Sequence, residues 1–137
     1  MTRNIVAYAV AVVTMAIFDF FWLTQVGPHL YNPVLQPILL ETPRMEAAVA
    51  FYVLYIVGLC YFAILPGLAA GRWQTAALKG ALFGFFAYAT YDLTNHATLQ
   101  IWSSKITLAD MAWGTILSAV TASVSCAVTG KVVKNSA

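Results

Sequence analysis

Four apolar runs mark out the chain, at approximately 5–26, 47–65, 75–99 and 107–129. Each is close to the ~20 residues a helix needs to cross ~30 Å of hydrocarbon. No run alternates apolar and polar residues with a period of two, so the pattern predicts helices and no strands. The first run, Ile5 to Val26, carries the bulky Asp19-Phe20-Phe21-Trp22-Leu23 where a cleaved leader would have small residues, so a retained span is expected. Gly27-Pro28 is expected to close it and Pro66-Gly67 to stop the second run, since proline removes a helical donor. The third run places Gly80, Gly84, Tyr88, Asp92 and then Asn95 or His96 on one helical line, and the fourth aligns Asp110, Gly114, Ser118, Ala122 and Cys126.

Residues 27–46 form the longest connection and hold four prolines, yet Leu30, Tyr31, Val34, Leu35 and Ile38 keep it apolar. A short interfacial helix is expected there, with Asn32 as N-cap and Pro33 at the first helical position; the alternative is an extended proline-rich loop. Trp73 and Trp102, in the connections flanking the third run, read as interfacial anchors.

Composition agrees with the pattern. Of 137 residues, 61% are hydrophobic and 9% charged, where soluble domains carry about 25% charged residues, and the mean hydropathy is +0.79. An all-α, integral membrane four-helix bundle is expected, one domain over 1–137 with no room for a soluble one. The net charge of +2 and the absence of a basic run exclude nucleic acid as a partner. Cys60 and Cys126 lack CxxC spacing and read as packing residues. Threading four spans gathers Arg3, Arg72, Lys79, Lys131 and Lys134 on the side of the termini, against Arg44 and Lys105 opposite, so both termini are expected in the cytoplasm.

The same threading brings Asp19, Asp92 and Asp110 to one depth, ~5–12 Å below the outer surface at about 1.5 Å per residue. Charges at that depth are costly toward lipid and should face the bundle interior. Thr107-x-x-Asp110 resembles a capping box, which would favour the ionised Asp110, whereas Asp19 and Asp92 lie toward negative helix ends. One ionised carboxylate and another that is protonated or bound to a cation are therefore expected, a basis for proton-coupled binding or for acid and base chemistry. The structural alternatives are a simple cap for Asp110 and interhelical hydrogen bonds for the others, to Asn95, Tyr91, Thr94 or a tryptophan N–H. His96 adds a proton relay, but no closely spaced ligand signature accompanies it, so neither metal nor cofactor is expected. Trp22 and Trp113 either roof the cluster or serve as belt residues; His29 and Ser103-Ser104-Lys105 read as plain loop. Asp19-Phe-Phe-Trp22 and Asp110-Met-Ala-Trp113 share a DxxW spacing, too short to argue an internal duplication.

Those two motifs, with Gly80-Ala-Leu-Phe-Gly84, Phe51 to Gly71 and Tyr88-Ala-Thr-Tyr-Asp92-Leu-Thr-Asn95, resemble a bacterial membrane-protein family catalogued as domain of unknown function 2177. The resemblance covers nearly the whole chain and is most specific from Tyr88 to Asn95. It implies four spans in the inner membrane and singles out Asp19, Trp22, Asp92, Asn95, Asp110 and Trp113, but supplies no reaction, and His96 departs from its pattern.

The expected site comprises Asp19, Trp22, Tyr88, Asp92, Asn95, His96, Asp110 and Trp113. Three functions fit: an outward-facing carboxylate pocket for a small or lipidic ligand, moved with protons; a membrane enzyme acting on a lipid near the outer leaflet; or a structural subunit with a membrane partner or a second copy of itself.

Overall fold

A computed structural model describes residues 2–134. Among the described residues every regular element is helical. Four long helical segments, α1 (Thr2–Leu30), α3 (Met45–Ala69), α4 (Trp73–Thr98) and α5 (Ser104–Lys134), run up and down, with a short helix α2 (Asn32–Leu35) in the first connection. Three of these, Thr2–Leu30, Met45–Ala69 and Ser104–Val133, are long and apolar enough to cross a membrane. α4 has the length, with 26 residues, but Thr90, Asp92, Thr94, Asn95 and His96 make it more polar.

Two prolines expected to end helices do not. A π-helical turn, Trp22–Val26, precedes Gly27-Pro28, and a second, Cys60–Ile64, precedes Leu65-Pro66; both helices then continue, to Leu30 and Ala69. A proline ring presses on the carbonyl four residues back and offers it no N–H, and a widened π turn moves that carbonyl aside. The real stop after α3 is Gly71 at φ 65°, with Arg72 N–H donating to Gly67 O at 3.0 Å and Gly71 N–H to Leu68 O at 3.3 Å, a Schellman termination that the left-handed glycine permits. In the first connection a short helix is present, but Asn32 is its first residue and its side chain caps nothing. Leu30 and Leu35 bury against Ile106, with Trp22, Tyr31, Val34 and Trp102 around them, so this segment folds over the start of α5.

α4 and α5 form the most extensive helix pair and α1 and α5 the next. Small residues set the first contact. A Cβ at Gly80 would stand 2.6 Å from the Ser118 carbonyl oxygen, and one at Gly84 would collide with the Gly114 carbonyl. The Tyr88 ring lies over Gly114, and further along His96 Nδ1 is 3.3 Å from Thr107 Oγ1. This antiparallel register sets Asp92, one turn beyond Tyr88, across from Asp110, one turn before Gly114. The α1–α5 register is fixed at two points: Ser125 Oγ donates to Ala7 O at 2.7 Å, and Trp113 Nε1 donates to Asp19 Oδ1 at 3.3 Å. The core between the helices holds Ala7, Ala11, Met15, Ile56, Leu59, Ile64 and Leu117. Leu54, Leu78 and Leu108, each at least 65% exposed, face outward, as suits a hydrocarbon solvent.

Candidate functional site

All three carboxylates are buried at the end of the bundle away from the termini. Asp19 is 7% exposed, Asp110 6% and Asp92 0%. Their surroundings differ. Asp19 accepts from the Tyr52 hydroxyl at Oδ2 and from the Trp113 indole at Oδ1. Asp110 Oδ1 accepts from the Tyr31 hydroxyl, whose oxygen in turn accepts from Trp22 Nε1 at 2.9 Å. The Trp22 and Trp113 rings stack with centroids 4.4 Å apart and planes 9° from parallel. The two DxxW motifs thus meet head to tail: one tryptophan bonds the other motif's aspartate directly, and the second reaches its counterpart through Tyr31.

Asp92 has no such support. Both its oxygens are buried without a hydrogen-bond partner. A carboxylate without donors in an apolar interior is stable in one of two conditions, carrying a proton or facing a cation, because an isolated buried charge is far too costly. Among the described residues the basic side chains lie elsewhere and are exposed: Arg3, Arg72, Lys79 and Lys131 toward one end, and Arg44 and Lys105 at the opposite surface. Outside the spans, the Tyr31 phenol is pushed far above its usual range, first by burial and then by its bond to Asp110, with the fields of Asp110 and Asp92 adding to it. Tyr31 is therefore a fixed donor to Asp110.

Beside the acidic pair lies a cavity of about 310 Å³ lined by Phe51, Tyr55, Ala87, Tyr88, Tyr91 and Asp110. It exists because α3 packs on α4 and α5 mainly through its second half, 60–69. The first half of α3 leans toward α1 instead, where Tyr52 meets Asp19. Phe51 and Tyr91, on the α3 and α4 sides of the cavity, are both exposed.

Of the residues singled out from the sequence, Asp19, Trp22, Asp110 and Trp113 share one hydrogen-bonded and stacked network, and Tyr88 and Asp92 sit across the α4–α5 seam from Gly114 and Asp110. Asn95 is half-buried in the next turn of α4. His96 is exposed and lies on the far side of that turn, 3.3 Å from Thr107 Oγ1 and 3.5 Å from Ser104 Oγ. The capping-box reading of Thr107 and Asp110 is corrected: Ser103 caps α5, its Oγ accepting from Ile106 N–H at 3.3 Å, and Asp110 lies in the second turn, beyond the strongest reach of the helix dipole. Ser104 and Lys105 belong to that helix instead of a loop. Asp92 makes none of the bonds to Asn95, Tyr91, Thr94 or tryptophan offered above as its structural alternative. Tyr31 and Tyr52 are donors the sequence reading left out; matching depths across antiparallel spans would have set Tyr52 beside Asp19. Cys60 and Cys126 are free thiols, half-buried and buried. Among the described residues no group of three or more His, Cys, Asp or Glu is arranged to hold a metal ion.

Three helices long and apolar enough to cross a membrane, packed with a fourth around a buried acidic cluster, mark a membrane protein. The chain belongs to the family described as predicted membrane protein, DUF2177, whose model matches residues 4–127. No curated protein and no solved structure matches it.

Proposed function

We propose that the protein binds a small amphipathic or lipidic molecule in the cleft between α3 and α4, with Asp110 as its polar anchor, and that binding is coupled to proton exchange at Asp92 behind it. The observation that carries this reading is the pair of unpartnered, fully buried Asp92 oxygens, across the α4–α5 seam from Asp110, which lines a largely apolar cavity of about 310 Å³. Of the three buried carboxylates, Asp19 and Asp110 find partners within the bundle and Asp92 does not. The exposed apolar and aromatic residues beside the cleft, Phe51 and Tyr91, favour entry from the bilayer. The excess of positive residues near the termini supports a placement with those termini in the cytoplasm and the cleft in the outer half of the membrane.

The test is mass spectrometry of small molecules retained by the purified protein. A species held by the wild type and absent from Asp92→Asn, at unchanged fold and insertion, supports the reading; identical complements overturn it.

A second reading rests on the unequal pair itself. Asp110, held by Tyr31, and Asp92, held by nothing, have the asymmetry of a general base and a general acid acting on a lipid. Lipid extracts from cells with and without the gene separate the two: an altered lipid product favours catalysis, an unchanged profile favours binding.

A further inference from the structure

At the other end of the bundle from the acidic cluster, we infer that a groove on the exposed face of the first turns of α4 binds an anionic phospholipid, its phosphate held between Arg72 and Lys79 and a chain laid along Leu78 and Leu82. Charge placement is the first observation. The acidic residues all lie toward the opposite end: Asp19, Asp92 and Asp110 in the buried cluster, Glu41 in the first connection and Glu46 in the first turn of α3. Arg3, Arg72, Lys79 and Lys131 therefore share their end with no carboxylate side chain. A basic surface without counter-charges of its own attracts the headgroups of anionic lipids.

Two of these cations line one groove. It measures about 350 Å³ and is bounded by Arg72, Gln74, Thr75, Leu78, Lys79 and Leu82. Positions 75, 78, 79 and 82 recur every three or four residues and form one face of α4. Arg72 stands just before the helix on extended backbone, φ −136° and ψ 114°, and Lys79 follows about 10 Å further along the axis at ~1.5 Å per residue. Helical side chains lean toward the helix N-terminus, so the Lys79 stem carries its ammonium group back toward Arg72. Gln74 and Thr75 add amide and hydroxyl donors in the intervening turn. Beyond them the groove turns apolar, with Leu78 65% exposed and Leu82 49%. Its residue types select the ligand. The arginine fork matches phosphate oxygens and the lysine adds a point charge. A choline or ethanolamine beside that phosphate would bring a second positive charge to a surface with no carboxylate to receive it. The exposed leucines that continue from the cations favour a molecule bearing a chain over a soluble phosphate.

The test uses the full chain in an uncharged detergent, with the unfolding temperature followed against added phosphatidylglycerol, phosphatidylcholine of the same chains, and soluble glycerol 3-phosphate. Phosphatidylglycerol is expected to stabilise the wild type saturably, with the other two about tenfold weaker or more. Arg72→Gln and Lys79→Gln, both at exposed positions, should each weaken phosphatidylglycerol about fivefold, the effect of one basic residue near an anionic surface. Lys131→Gln removes an equal charge at the same end but outside the groove, and should change the affinity by less than about twofold. Phosphatidylcholine matching phosphatidylglycerol overturns the anionic headgroup, and glycerol 3-phosphate matching it overturns the lipid. Lys131→Gln weakening binding as much as Arg72→Gln would show a diffuse field in place of a site. Full affinity in both groove variants, or no saturable stabilisation of the wild type, overturns the inference outright.

Discussion

The indole rings of Trp22 and Trp113 stack at a centroid distance of 4.4 Å, each lying three residues beyond an aspartate of its own helix. Because α1 and α5 are antiparallel, the stack turns each tryptophan toward the other helix's aspartate: Trp113 bonds Asp19 and Trp22 bonds the phenol that bonds Asp110. One aromatic contact thereby orients two carboxylates. The third, Asp92, approaches from α4 with nothing fixed to it.

Removing part of this stack should have graded effects. Trp113→Phe keeps a ring on Trp22 and loses the bond to Asp19, costing about 0.6 kcal/mol, the average for an interhelical hydrogen bond in a membrane protein. Trp113→Ala also empties the ring's space and should cost about 3 kcal/mol or more. Thermal unfolding in detergent measures both. Equal effects would show that the ring contributes nothing beyond its N–H.

Three glycines should respond differently to the same methyl group. A Cβ at Gly84 meets the Gly114 backbone carbonyl, which cannot give, so Gly84→Ala should cost at least about 1–3 kcal/mol and lower the yield of dispersed protein. At Gly58 the nearest atom is the tip of the Phe83 ring, 2.9 Å away, which can swing; Gly58→Ala should cost less. Gly130 has nothing within 4 Å, so Gly130→Ala should stabilise by up to about 1 kcal/mol through helix propensity. The order of unfolding temperatures reads all three.

The raised pKa of Tyr31 sets a pH dependence. The folded state holds the phenol's proton more tightly than the unfolded chain, whose tyrosines titrate near about 10. Stability from this group is therefore complete below about pH 10 and declines as pH rises above it, because only the unfolded chain releases the proton. Tyr31→Phe should be less stable than wild type near neutrality, and its unfolding temperature should fall less steeply above pH 10. Parallel curves for the two proteins would remove Tyr31 from the titration.

A related comparison bears on the seam between α3 and α5. The Tyr55 hydroxyl and Ser118 Oγ lie 2.7 Å apart in a buried setting. Tyr55→Phe leaves the Ser118 hydroxyl without that partner and should cost roughly 1 kcal/mol; Ser118→Ala combined with it should cost less than the two single changes added together. Additive effects in such a double-mutant cycle would mean the two groups do not interact.

The long helices could be read from the sequence because hydropathy over about 20 residues is a local property, and the acidic residues stood out because they break it. Helix ends were less legible. Pro28 and Pro66 carry a strong local stop signal, yet each follows a π turn that absorbs it, and nothing in Trp22–Val26 or Cys60–Ile64 announces that geometry. The partners of the carboxylates were obscured for another reason. Tyr31 and Tyr52 count as apolar or interfacial residues in a hydropathy scan, and their bonds to Asp110 and Asp19 join positions 79 and 33 residues apart. Asp92 presents the converse. Its neighbours along α4 are polar, so local reading supplied it with donors, but Tyr91 and Thr94 are exposed, the Thr94 hydroxyl turned back to the Thr90 carbonyl, while Asp92 faces α5.

Function at this site requires Asp92 and Asp110 to face one another across the seam of α4 and α5. In a chain carrying Cys60→Ala and Cys126→Ala, the pair Asp92→Cys and Asp110→Cys can be treated in the membrane with a short bifunctional thiol reagent and the intact mass measured. One reagent bridging both thiols is the predicted product. Two separately modified thiols, at conditions where a control pair at Ala7 and Ser125 is bridged, would contradict it.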